Sequence, residues 1–191
     1  PIVIVAGEPN SIFFEIFFKS LRYKKFKSPI ILIASYDLIK LQMKQLHINR
    51  RIKLINFLNL TNYSLDNKQI NLINVDFNQK KPFDKISNKS NTYIEESFEL
   101  ALKILRSKIT NKLINGPISK KFFLKKKFLG ITEYLAHKTK TKNFAMLIFN
   151  KELSVCPLTT HLPIKKVSKK INKNLIIEKV KMIDNFFKEY L

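Results

Sequence analysis

The chain has one cysteine, no tryptophan and three glycines in 191 residues, and each scarcity closes off a class of chemistry. A lone thiol, Cys156, can form no internal disulfide and offers no Cys-rich zinc framework; it reads as a small buried apolar residue. Glycines only at 7, 116 and 130 cannot spell G-x-G-x-x-G or the G-x-x-x-x-G-K-[ST] phosphate loop. Arginine is scarce as well: Arg22, Arg50, Arg51 and Arg106 are all there are, against a net charge of +22. Base and phosphate readout favours the planar arginine fork, and the lysines are scattered along the whole length. The charge therefore argues against nucleic acid as a partner and leaves a basic nucleic-acid-binding domain as an alternative reading. The longest apolar runs, PIVIVA and PIILIA, fall far short of the roughly 20 residues of a membrane-spanning helix. With no cleavage-site pattern after the first of them, the expectation is a cytoplasmic protein without a membrane partner.

What is present is the rhythm of an α/β protein. Residues 2–6 (IVIVA) and 30–34 (IILIA) are continuous β-branched runs, expected of strands buried on both faces. Each is followed by a helical pattern: IFFEIFFKSL, with Asn10 or Ser11 as its cap, and YDLIKLQMKQL, capped by Ser35. Strands are expected at IKLINF and INLINV. TYIE at 92–95 reads as a capping box opening a helix whose apolar face runs through Ile94, Phe98, Ala101 and Leu105. KLIN (112–115) is a strand that ends at Gly116-Pro117, the kind of break at which open α/β sheets place ligands. Beyond it, ITEYLAHKT reads as a helix capped by Thr132, FAMLIF and LSVCPL as a strand pair, and residues 174–191 as an amphipathic helix. No repeat or low-complexity linker interrupts the chain, so no sharp internal boundary is expected within 1–191.

Chemistry can be sought at the strand exits. CPLTTHLPIKK (156–166) sets Thr159 and Thr160 before His161, and Pro163 stiffens the exit behind it. Neutral imidazole is the commonest protein metal ligand, yet a catalytic divalent ion usually takes three protein ligands, and no H-x-H or H-E-x-x-H exists here. Gly7, Glu8 and Pro9 place a carboxylate just past the first strand. Lys120, after the Gly-Pro turn, can meet an anion at a helix start.

These segments, taken together, resemble a known family. PIVIVAGEPNSIFFE, INGPISKKFF, GITEYLAHKT and LTTHLPI are similar, in order and spacing, to blocks of the 4-hydroxythreonine-4-phosphate dehydrogenase family of pyridoxal 5′-phosphate biosynthesis. The resemblance implies an α/β/α layered fold like that of isocitrate and isopropylmalate dehydrogenases, and a homodimer. It also implies NAD with a divalent metal (Zn, Mg or Co), and a small phosphorylated amino-acid substrate, 4-phosphooxy-threonine, that is oxidised and decarboxylated. Carried over by position, His161 matches the first of three metal-binding histidines and Thr132 a substrate-contacting threonine. Gly116, Pro117 and Lys120 match the family's turn, and Gly7, Glu8 and Pro9 its opening motif; Thr159 and Thr160 line the same region. Three positions depart. Ile131 stands where the family has a substrate-contacting histidine, Ser119 replaces another histidine, and PNSIFFE replaces PAGIGPE. These departures leave a relative that kept the fold and lost the chemistry as a further alternative. The family's remaining metal and substrate residues belong to motifs expected after Leu191. The chain is thus expected to be the N-terminal portion of a two-domain dehydrogenase, incomplete at the C-terminus and inactive by itself.

Overall fold

The computed structural model describes residues 1–190. They form two compact units, one of Pro1–Lys127 and another beginning at Phe128, at a point where no change of composition marks the sequence.

In the first unit five parallel strands, β1 (Ile2–Val5), β2 (Ile30–Ala34), β3 (Ile52–Leu54), β4 (Ile70–Asn74) and β5 (Leu113–Asn115), lie in the order β3-β4-β2-β1-β5. Because successive residues face opposite sides, Ile4, Ile30, Leu32, Ala34, Ile70 and Leu72 share one core. There they meet Phe14, Phe17 and Phe18 of α1 (Phe13–Tyr23) and Leu38, Ile39 and Met43 of α2 (Tyr36–Gln45). The alternate residues Val3, Val5, Ile31 and Ile33 are also fully buried, on the side contacted by α3 (Asn91–Arg106) with its buried Tyr93, Ile94, Phe98, Ala101 and Ile104. A sheet covered on both faces is what the unbroken apolar runs require, and the α/β/α layering follows.

Several local expectations change. Ser35 caps α2, accepting from Leu38 N at 3.4 Å. In α1, Ser11 accepts from Phe13 N, but Asn10 instead accepts from Asp84 N and Gln79 Nε2. Thr92 is not a cap: residues 88–90 already form a 3-10 turn closed by Ser87 Oγ. The chain therefore enters α3 in helical conformation, without the extended residue that a cap requires.

In the second unit α4 (Ile131–Thr139) starts from an extended Gly130, which puts Thr132 at the second helical position, inside the first turn, where it cannot cap. The expected strand pair shrinks to one antiparallel bridge, Ile148 with Val155, bonded at 2.8 and 2.9 Å. Its connecting turn is held by Asn150 and Ser154. Cys156 is half-buried, not buried. Helices α5 (Ile164–Lys170) and α6 (Lys173–Tyr190) complete the unit. Among the described residues no helix is long and apolar enough to cross a membrane.

Candidate functional site

From β1 the chain proceeds to β2 and on to the edge strand β3, comes back to β4 between β3 and β2, and then crosses the sheet to β5 on the other flank of β1. The direction of winding thus reverses between β1 and β5, the position where open α/β sheets form their binding crevice. The turns that leave these two strands interlock. Gly116 N donates to Val5 O at 2.7 Å, and Glu8 N donates to Pro117 O at 2.7 Å. Gly7 adopts φ +77°, and a side chain there would meet Pro117 O at 2.3 Å; at Gly116 it would meet Ala6 O at 2.0 Å. Both glycines are needed for this approach of main chain to main chain.

Glu8 was expected to line the site, but it faces inward and is 2% exposed. Ser90 Oγ donates to its Oε2 at 2.9 Å and Asn10 N to its Oε1 at 3.3 Å. The carboxylate therefore ties the exit of β1 to the turn before α3. Its negative charge adds to burial in pushing the phenol of Tyr93 above its ordinary range. Pro9 is buried too, its carbonyl accepting from Gln42 Nε2 at 2.9 Å. Lys120 is exposed at the start of a single wide helical turn, Lys120–Leu124, whose entry is capped by Ser119.

A second group forms within the later unit. Thr132, Thr160 and His161 line a cavity of about 260 Å³ together with Glu133, Lys142 and Lys179. Thr132 lies inside the first turn of α4, on the wall of this cavity and not at the helix cap. His161 is exposed and sits at φ +56°, in the left-handed region that non-glycine residues enter at a cost. Lys179, from α6, donates its Nζ to the carbonyl of Phe144. Thr159 and Ile131 are half-buried. One imidazole, one carboxylate, two ammonium groups and two hydroxyls can hold an anionic molecule and contribute to a cation.

The composition of that cavity allows a test for a divalent ion. Glu133 Oε2 is buried without a hydrogen-bond partner, a feature that a cation would satisfy. Among the described residues no group of three or more His, Cys, Asp or Glu side chains could hold a metal, so the residues present do not by themselves make a site for the ion. Sequence reading missed Glu133, Lys142 and Lys179. Glu133 follows Thr132 directly and could have been noticed in ITEY, whereas nothing in a lysine-rich helix singles out Lys179.

The family model described as "Pyridoxal phosphate biosynthetic protein PdxA" matches residues 25–191. Two curated relatives are named 4-hydroxythreonine-4-phosphate dehydrogenase. That of a Sulfurihydrogenibium species is 31% identical, over 98% of this chain and 58% of its own length; that of Wigglesworthia glossinidia brevipalpis is 27% identical, over 96% and 55%. The crystal structure of 4-hydroxythreonine-4-phosphate dehydrogenase from Klebsiella pneumoniae superposes with a TM-score of 0.84 at 20% identity, covering 98% of this chain and 58% of that one. This likeness shows the fold. The chain spans just over half the length of the curated relatives it matches.

Proposed function

Because the chain belongs to the pyridoxal phosphate biosynthetic protein PdxA family, we propose that it supplies part of a 4-hydroxythreonine-4-phosphate dehydrogenase. That enzyme would carry out the NAD-dependent, metal-assisted oxidation and decarboxylation of 4-phosphooxy-threonine. The observation that carries the reading is the cavity of the second unit, where Thr132, Thr160 and His161 stand beside Lys142 and Lys179. In this reading the ammonium groups and the Thr132 hydroxyl bind and orient the phosphorylated amino acid. His161 is one ligand of the divalent ion. When bound, such an ion supplies Lewis-acid stabilisation of the negative charge that develops as carbon dioxide leaves. NAD is the hydride acceptor, so the protein's part is to position it; no residue of this chain is assigned to it, since no glycine-rich dinucleotide signature is present.

Ile131, in place of the family's histidine, removes a polar contact to the substrate. A homodimer and a cytoplasmic location complete the proposal. A single imidazole does not fix the ion, so these 191 residues alone are expected to bind without turnover.

Calorimetric titration of the chain with 4-phosphooxy-threonine, with and without Mg2+ or Zn2+, tests the reading. Binding that the cation strengthens is expected, falling about 10-fold or more in His161→Ala, as when a ligand shell is damaged. Binding indifferent to His161, or none, overturns the reading. NADH formation by the chain alone would overturn the expectation that it is inactive.

A further inference from the structure

We propose that the amino-terminal edge of the sheet carries a separate binding site for a phosphate-bearing nucleotide, taken free or as a unit of a single strand. Because the strands are parallel, the segments that enter β2, β3 and β4 meet at one edge, opposite the crevice after β1 and β5, and the end of α1 returns to it. There an open cavity of about 890 Å³ is lined by Arg22, Lys24, Lys25, Lys27, Arg50 and Lys68, against the single carboxylate of Asp66. Among the described residues none of the six cations has an ion-pair partner. The cavity after β1 and β4 differs: it sets Asp76, Asp84 and Glu96 against Lys80, Lys85 and Lys89. Only the amino-terminal edge presents an unbalanced positive field to an anion.

The scatter of lysine that argues against nucleic acid is a statement about order along the chain, and folding changes the neighbours. Arginine is scarce, yet two of the chain's four arginines, from different elements, meet at this cavity. The plainer explanation is that Arg22, Lys24 and Lys25 answer the dipole at the end of α1, and that Arg50 closes the same helix, its Nη2 donating to Leu21 O at 3.1 Å. That accounts for neither Lys27 nor Lys68, which come from the loops before β2 and β4. The rim is also fixed: Asn67 Nδ2 donates to Phe26 O at 3.0 Å and Ser28 O at 2.8 Å, while its Oδ1 accepts from Ile30 N at 2.9 Å. Charge selects an anion, and the rings beside it select the kind. Tyr23 lines the cavity at 76% exposure and Phe26 at 36%, with the Arg22 guanidinium 5.9 Å from the Tyr23 ring centre. Exposed rings among cations suit a base beside its phosphates, since every base offers a face for stacking. An acidic peptide would meet the charges and leave the rings in water.

The test titrates the 191-residue chain with a fluorescent oligouridylate of about 12 nucleotides, followed by anisotropy, and with ATP and inorganic tripolyphosphate by calorimetry. Arg22→Gln with Lys68→Gln is expected to weaken whichever of oligouridylate and ATP binds about 10-fold or more. For the strand, the slope of affinity against salt on logarithmic axes should also flatten by about 1.4, the value for two lost phosphate contacts. Lys165→Gln with Lys166→Gln removes the same charge from exposed positions of α5 and is expected to leave wild-type values. Tyr23→Ala should weaken the base-bearing ligands about 5-fold or more and leave tripolyphosphate unchanged. ATP bound as tightly as the strand identifies the free nucleotide, and binding of the strand alone identifies single-stranded nucleic acid; both outcomes support the site. Equal losses from the two paired variants would show net charge acting without a site and overturn it. Tripolyphosphate bound as tightly as ATP, with Tyr23→Ala silent, overturns the nucleotide assignment, and no binding of oligouridylate or ATP overturns the whole.

Discussion

The two units use the same vocabulary of isoleucine, phenylalanine and lysine in different ways. Residues 1–127 bury complete side chains on both faces of a sheet, whereas among the described residues after 127 only Tyr134 and Ala136 are buried. On α6, Val180 is 58% exposed and Tyr190 49%, although the spacing of its apolar residues is as regular as in α1. Periodicity thus reports that a helix has an apolar face, and burial of that face depends on what the fold brings against it. The difference also separates stability from chemistry: the unit that holds the large core keeps its strand-end carboxylate, Glu8, as an internal tie. The cavity that collects Thr132, Glu133, Thr160 and His161 is built from the start of α4, the loop after it and one side of α6.

The sharpest way to break this comparison is to truncate one apolar helix residue in each unit. Phe98, on α3, is 0% exposed, so Phe98→Ala is expected to cost about 3–5 kcal/mol through lost transfer free energy and the cavity left behind. Val180→Ala on α6 should stay within about 0.5 kcal/mol, as surface substitutions do. Urea midpoints followed by circular dichroism measure both. Equal losses would mean that α6 is covered in solution and that the contrast is false.

Glycines offer a second, smaller contrast. Gly116→Ala places a β-carbon 2.0 Å from the main-chain oxygen of Ala6, which no side-chain rotation can relieve. A loss of about 1–3 kcal/mol is expected from overpacking, together with loosening of the interlocked turns after β1 and β5. Gly130→Ala meets the far end of the Glu133 side chain at 3.1 Å and His161 Nε2 at an ordinary 3.8 Å, so its unfolding midpoint should remain near that of the wild type. A Gly116→Ala variant of unchanged midpoint would show that the two turns are not clasped.

The first unit was the more legible in sequence for a physical reason. β1, β2 and the carboxyl end of β5 are written in local patterns: β-branched runs, a serine cap, a glycine-proline break. Helix starts were misread where a tertiary or preceding element intervened. Thr92 has the residue types of a capping box, yet the turn at 88–90 is already helical; Thr132 lies two positions past the cap of α4. FAMLIF and LSVCPL satisfy strand preference, but Ile148, Phe149, Leu153 and Val155 are each about half exposed or more. With a single bridging pair there is no ladder to extend. His161, with Thr159 and Thr160 before it, was singled out by its place after an apolar run, and Thr132 gained a substrate role only from the family resemblance. Glu133 and Lys179 were not noticed, because a buried oxygen without a donor and a lysine bonded to a carbonyl are properties of packing, absent from any one-dimensional pattern.

The smallest effect concerns Tyr93, which borders both the large core and the Glu8 tie. Burial raises its phenol above the ordinary value of 10.0, with hydrogen bonding to the Ser35 main chain and to Ser97 acting in the opposite sense and the charge of Glu8 a lesser contribution in the same sense as burial. The folded state then holds this proton to higher pH than the unfolded chain does. Stability from this group is fully present below about pH 10 and is lost as pH rises from there towards the raised folded value. Tyr93→Phe removes the group from the balance. Its denaturation midpoint should fall less steeply above pH 10 than that of the wild type, by the equivalent of one proton, while the other tyrosines contribute alike to both. A Phe variant with an unaltered alkaline limb would mean that the phenol titrates alike in the folded and unfolded chain, and that the interior beside Glu8 is more open than the first unit's packing implies.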